Sequence, residues 1–182
     1  PIVRVVDPDL TMRMTEWVTL QVLLHHRRQL AYLDQQANRV WRELPQPPAS
    51  AVRVGIMGLG ELGRASAKVL ASLGFAVAGW SRSPKSLPAI ETYAGNDSLS
   101  AFLARTDILV VLLPLTDATR GIIDAKLLAG LARDGALGGP VLINGGRGGL
   151  QVEGDILAAI DAGTLIGASL DVFAEEPLPA TS

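Results

Sequence analysis

Val52-Arg53-Val54-Gly55-Ile56-Met57-Gly58-Leu59-Gly60-Glu61-Leu62-Gly63 is an apolar run that ends in glycines spaced G-x-G-x-x-G, and a helical pattern through Leu62, Ala65, Ala67 and Leu70 opens at once behind it. The order is strand, glycine loop, helix. Each glycine answers a different need: Gly58 makes the tight turn, Gly60 lets a pyrophosphate approach the backbone, and Gly63 lets helix and strand pack closely. The pyrophosphate would rest on free N–H groups at the helix start, where the helix dipole favours an anion. A lone glycine-rich turn can also be purely structural. A second apolar run at 75–80, in place behind the helix, favours a dinucleotide cradle made by Gly58, Leu59, Gly60, Glu61, Leu62 and Gly63.

Outward from this loop the chain alternates. Strand-like runs at 52–57, 75–80, 108–113, 140–144 and 166–172 are separated by helical patterns at 62–73, 99–103, 125–131 and 152–162, the rhythm of βαβ units around a parallel sheet. Several of the strands are apolar throughout, as expected where helices cover both faces. The expected fold is α/β, a doubly wound parallel sheet over residues 49–182. Ahead of it, residues 2–6 form a short run that is β-branched apart from Arg4, Asp7-Pro8-Asp9 reads as a helix start, and residues 12–38 hold no Gly or Pro, which predicts one long helix. Trp17, Leu20 and Leu24, with Val18 and Val22, mark apolar stripes on more than one face, so residues 1–48 read as a helical arm that buries itself on two sides. Pro45-Gln46-Pro47-Pro48 closes the arm as a stiff linker.

The second strand ends in Trp80-Ser81-Arg82-Ser83-Pro84-Lys85, about twenty residues past the glycines, where an NAD site would carry Asp or Glu for the ribose hydroxyls. No carboxylate stands there. Ser81, Arg82, Ser83 and Lys85 instead offer hydroxyl and cationic donors suited to a 2′-phosphate, which favours NADP(H) over NAD(H), against the bland reading of a solvated basic turn.

Composition sets outer limits. With 48% hydrophobic residues, 182 residues can bury a full core. A net charge of −2 provides no broad positive field for a nucleic-acid backbone. The longest strongly apolar run, 108–113, is far short of the roughly 18 residues that suggest a membrane span. The absence of cysteine and of a secretory leader pattern makes a reducing cytoplasm the expected compartment. No metal-ligand spacing stands out. A first residue other than Met and a Pro-rich end read as a portion of a longer chain.

Four segments in order, the glycine loop, Leu112-Leu113-Pro114-Leu115-Thr116 with Thr119-Arg120-Gly121, Ile143-Asn144-Gly145-Gly146-Arg147-Gly148, and Leu170-Asp171-Val172-Phe173-Ala174-Glu175-Glu176-Pro177-Leu178-Pro179, resemble the D-isomer-specific 2-hydroxyacid dehydrogenases. The texture, including Trp80-Ser81-Arg82, is most similar to the glyoxylate/hydroxypyruvate reductases that prefer NADPH. The resemblance implies a Rossmann-type sheet, an arm helix used for homodimer contact, and a small 2-oxo or 2-hydroxy acid as substrate. It implies that Arg147 anchors the substrate carboxylate and polarises its keto oxygen. It also implies that Glu176 pairs with an acid/base histidine and keeps it protonated. Leu113, Pro114, Thr119, Asn144, Gly145, Gly146 and Asp171 are the further cofactor contacts it implies, with Asp171 facing the nicotinamide carboxamide. Gly145 and Gly146 stand where the family often has bulkier residues, which predicts a roomier pocket. The family's histidine and its flanking substrate domain are expected outside these residues, so the chain alone is expected to be inactive. His25 and His26 read as solvated or interface residues of the arm.

Two other functions share parts of this pattern. A dinucleotide-sensing interaction module could use the same fold without catalysis, and retention of Arg147 and Glu176 argues against it. A 3-hydroxyacid or 6-phosphogluconate type dehydrogenase shares the glycine loop but lacks the Arg147 and Glu176 motifs.

Overall fold

The alternating strands come together as a six-stranded, wholly parallel sheet in a computed structural model that describes residues 7–181. Chain order is α1 (Pro8–His26), α2 (Gln29–Ala37), β1 (Arg53–Met57), α3 (Glu61–Ser72), β2 (Ala76–Ser81), β3 (Glu91–Ala94), α4 (Leu99–Ala104), β4 (Ile108–Val111), α5 (Ala125–Ala129), β5 (Val141–Asn144), α6 (Glu153–Asp161) and β6 (Gly167–Leu170). The strands lie side by side as β3-β2-β1-β4-β5-β6. This is the doubly wound order whose direction reverses beside β1, and such a reversal opens a crevice at the carboxyl ends of the strands.

The continuous apolar strands explain why both faces are covered. Along β4, Ile108 and Val110 join one core with Val54, Ile56, Leu70 and Val141, while Leu109 and Val111 join the other with Met57, Phe102, Leu127 and Leu142. Successive side chains of a strand point to opposite faces, so an unbroken apolar run fills two cores at once. The short β3 has no such run. Its edge position leaves Glu91 exposed and its other residues half-buried, and the sequence pattern alone did not announce it.

The arm departs from the single long helix expected over 12–38. It begins as predicted: Pro8 occupies the first turn, and the Asp7 carboxylate accepts the amides of Asp9 and Leu10 at 2.9 and 3.3 Å. It then breaks at Arg28, which sits in the left-handed region at φ 54°. The Arg28 guanidinium donates to Leu137 O at 2.9 Å and to Pro45 O at 3.3 Å, which ties the break to the sheet domain and to the proline linker. A residue held by tertiary hydrogen bonds overrides helix propensity that favours continuation. Residues 2–6, the β-branched run, lie outside the described residues. No helix among the described residues is long and apolar enough to cross a membrane.

His25 and His26 are not solvated. The His25 imidazole shares a 2.9 Å hydrogen bond with the Ser169 hydroxyl on β6, and His26 is buried edge-on against Phe75 with ring centroids 5.0 Å apart. Burial pushes both imidazoles below the ordinary value of 6.5, and for His26 the neighbouring Arg27 adds to the effect. Above 6.5 both rings are neutral whether the chain is folded or unfolded. As pH falls through 6.5 the unfolded chain takes up protons first, so stability drains away until the lower, folded values are passed. The thermal midpoint should therefore fall between about pH 7 and pH 5, and replacing both histidines by Gln should flatten that fall. A midpoint whose pH dependence is the same in the variant would contradict the assignment.

Candidate active site

The carboxyl ends of β1, β4 and β5 converge with the start of α1 on a crevice of about 500 Å³. Its walls are Gly60, Glu61, Leu62 and Gly63 from the glycine loop, residues 112–115 after β4, and Gly145, Gly146 and Arg147 after β5. Asp7, Leu10 and Thr11 close it from the arm. These arm residues were not foreseen. The helix-start signal at Asp7 was legible, but the position of that start over the sheet edge depends on how the arm packs.

The glycine loop has the geometry its spacing demands. Gly58 adopts φ +109°, and a Cβ there would meet the Leu112 carbonyl oxygen at 2.7 Å. A Cβ on Gly63 would run into the Gly58 carbonyl, which is the close approach of helix to strand. Gly60 heads α3, and no side chain caps that helix, so its first amides face the crevice unclaimed by a side chain. Leu59 differs from its neighbours. It is 3% exposed and packs in the core against Gly79, so any contribution it makes to the cradle is by its backbone.

At the end of β2 the four expected 2′-phosphate residues divide. Arg82, Ser83 and Lys85 are exposed, whereas Ser81 is buried and its hydroxyl donates to Ser83 O at 2.8 Å. Ser81 shapes the turn, and its neighbours carry the free donors.

The loop after β5 is built from behind. Asn144 is fully buried; its Oδ1 accepts Gly146 N at 3.0 Å, and its Nδ2 donates to Arg147 O and to Gln151 Oε1 at 3.3 and 2.8 Å. Asn144 therefore supports the loop and does not reach into the crevice. Arg147 is exposed at the wall, with Nη1 held by Gly146 O at 2.7 Å. In the β4 loop, Leu113 is buried and Pro114 exposed, both on the wall. Thr119 lies behind them, its Oγ1 donating to Pro114 O at 2.7 Å and accepting Thr116 N at 2.8 Å. Its part is to hold the loop closed. Asp171 stands exposed beyond the end of β6, its amide donating to Asn144 O at 3.0 Å. Glu176 is exposed and its Oε1 accepts Phe173 N at 2.9 Å.

The expectation of a roomier pocket at Gly145 and Gly146 is corrected. A Cβ on Gly145 would stand 3.0 Å from Trp17 and 3.2 Å from the Met14 sulfur, and one on Gly146 would stand 2.7 Å from Leu150. The missing side-chain volume is filled by the arm helix over Gly145 and by Leu150 over Gly146, so Gly145 lets α1 dock onto the site. No group of His, Cys, Asp and Glu side chains among the described residues could hold a metal ion.

Residues 20–182 match the family described as D-isomer specific 2-hydroxyacid dehydrogenase, NAD binding domain. The chain is 39% identical over 180 residues to glyoxylate/hydroxypyruvate reductase A of Yersinia enterocolitica, covering 99% of the chain and 56% of that protein. It is 43% identical to the protein of the same name from Salmonella choleraesuis, covering 100% of the chain and 57% of the relative. Among solved structures, the NADPH-dependent glyoxylate/hydroxypyruvate reductase of Sinorhizobium meliloti in complex with NADP and sulfate superimposes with a TM-score of 0.97 at 55% identity. All of this chain and 57% of that one are covered. The chain thus spans a little over half the length of these relatives.

Proposed function

The chain belongs to the D-isomer specific 2-hydroxyacid dehydrogenase family, and from that premise we propose that it binds NADP(H) and serves the reduction of a small 2-oxo acid of the glyoxylate or hydroxypyruvate kind to the D-2-hydroxy acid. The observation that carries this reading is the placement of Arg147 on the wall of the crevice that the glycine loop forms. The loop has the close-packed form a dinucleotide cradle needs: Gly58 and Gly63 stand where any Cβ would collide with the protein's own backbone, which fixes the tight turn and brings the start of α3 against β1. Residues 58–63 would hold the pyrophosphate, Arg82, Ser83 and Lys85 the 2′-phosphate, and Leu113, Pro114, Gly145, Gly146 and Asp171 the nicotinamide side. When bound, the nicotinamide supplies a hydride. Arg147 holds the substrate carboxylate by a forked, charge-assisted pair and stabilises the negative charge that grows on the keto oxygen. Glu176 orients and keeps protonated a histidine that delivers the proton. That histidine is neither His25 nor His26, whose rings pack between arm and sheet.

The test is a fluorescence titration of the chain with NADPH and NADH, followed by NADPH oxidation with saturating glyoxylate. Tight NADPH binding is expected. Residues 1–182 alone should turn over about 10²–10⁴-fold more slowly than a polypeptide that also carries the general acid. NADPH binding without turnover in that longer polypeptide would support the sensing-module reading instead.

The reading includes a homodimer in a cytoplasmic setting. Val18 and Val22, part of the apolar stripes of the arm, are fully buried within the chain. The apolar surface left over lies elsewhere on the arm: Leu10, Met12 and Leu20 are each more than half exposed, and an apolar groove of about 860 Å³ runs between α1 and α3. Light scattering at micromolar concentration should give twice the chain mass, and Leu20→Asp should halve it. A monomer that persists on concentration would count against the assembly.

A further inference from the structure

Between the loop that carries Arg147 and the loop that carries Glu176 lies one buried side chain with hydrogen bonds to both sides, Gln151, only 6% exposed. Its Oε1 accepts Asn144 Nδ2 at 2.8 Å, and Asn144 is the residue that supports Gly146 and Arg147. Its Nε2 donates to Val172 O at 3.0 Å and to Glu153 Oε1 at 3.3 Å. The same Glu153 oxygen accepts Ala174 N at 2.8 Å, and one residue earlier Phe173 N donates to Glu176 Oε1 at 2.9 Å. An amide offers two oxygen lone pairs and two N–H donors, and here one lone pair and both donors are engaged. The direction of the bonds is forced as well, because Val172 O and the Glu153 carboxylate can only accept. The two loops also touch directly: a Cβ on Gly148 would collide with the Phe173 carbonyl, so their backbones run in contact.

We infer that Gln151 is a positioning residue that holds the Arg147 loop and the Glu176 loop in one fixed relation, with Glu153 as its anchor on the Glu176 side. Substrate anchoring and protonation require two groups from different strand ends to meet one small molecule, and misplacement by about 1 Å costs up to about 10²-fold in such chemistry. Among the described residues no helix or strand spans the two loops; beyond the Asp171 N–Asn144 O bond at their base, the Asn144–Gln151–Glu153 chain of hydrogen bonds does. This inference deepens the proposed function and rests on its assignment of Arg147 and Glu176.

Three variants test it. Gln151→Met keeps the length and removes every polar bond. Gln151→Glu keeps the acceptor for Asn144 but sets a carboxylate against Val172 O and Glu153, and regains a donor only when protonated. Glu153→Gln keeps an acceptor for Ala174 N. Amide hydrogen exchange at Phe173 and Ala174 should speed up in Gln151→Met by about tenfold or more, with a smaller loss in NADPH affinity than in kcat, because residues 58–63 still hold the pyrophosphate. In the catalytically complete enzyme, Gln151→Met should lower kcat for glyoxylate by about tenfold or more, and Glu153→Gln should lower it far less. Gln151→Glu should recover protection and kcat as pH falls, over and above the pH response that the wild type and Gln151→Met share. Unchanged exchange in Gln151→Met overturns the inference, as does faster exchange with unchanged kcat. If the wild-type protein neither binds NADPH nor reduces glyoxylate, the functional reading fails by itself, while the exchange data still decide whether Gln151 joins the loops.

Discussion

In the catalytically complete enzyme, Arg147→Ala is expected to lower kcat/KM for glyoxylate by about 10²–10³-fold, the range seen when a donor to a developing oxyanion is removed. NADPH affinity should hold within about twofold, because the proposed role of Arg147 is toward the substrate, while residues 58–63 on the same crevice are proposed to hold the dinucleotide. The loss should appear in both kcat and KM. A guanidinium that grips the carboxylate contributes equally to ground and transition states, and its contact with the keto oxygen strengthens only as charge develops. Arg147→Lys should recover part of kcat and little of KM, since an ammonium keeps the charge without the planar fork. Arg147 is exposed and its guanidinium makes a single bond to Gly146 O, so the alanine variant should fold normally. Its thermal midpoint is the control. Steady-state kinetics showing kcat/KM within tenfold of the parent would refute the anchoring role.

The second large effect is a reversal of cofactor choice by Arg82→Asp. Arg82 follows the last residue of β2, and β2 is the strand beside the one that feeds the glycine loop. A charge-assisted hydrogen bond to the 2′-phosphate contributes about 1.5–3 kcal/mol, so losing it weakens NADPH by roughly 10–100-fold. The new carboxylate repels the phosphate and accepts the ribose hydroxyls of NADH, so the preference ratio should swing by about 10²–10³ in total. Lys85 remains as a nearby cation and sets the upper end of what NADPH retains. Dissociation constants for both cofactors, measured in the parent and the variant at one fixed ionic strength, decide the matter. An unchanged ratio would place the 2′-phosphate elsewhere.

The segments that meet at the crevice are legible in the sequence. The glycine loop, the basic turn at Arg82 and the Arg147 and Glu176 segments are short, contiguous motifs, and each sits at a strand end because alternation along the chain puts it there. The division of labour inside those motifs was not readable. Leu59, Ser81, Thr119 and Asn144 lie in the right segments, yet they face the core or bond to their own loops. Whether a motif residue points into a crevice or away from it is settled by one backbone turn, which composition does not record.

What the sequence by itself determined was the parallel sheet, its glycine cradle and the absence of an acidic ribose contact, because periodicity, glycine spacing and residue chemistry are local properties of consecutive residues. The tertiary structure alone decided the break of the arm at Arg28, the filling of the space over Gly145 by Trp17 and Met14, and the Asn144–Gln151–Glu153 chain between the two loops. Each of these joins residues far apart in sequence or lying on separate elements. Their energies come from packing volume and from buried hydrogen-bond partners, quantities that exist only once the chain has closed on itself.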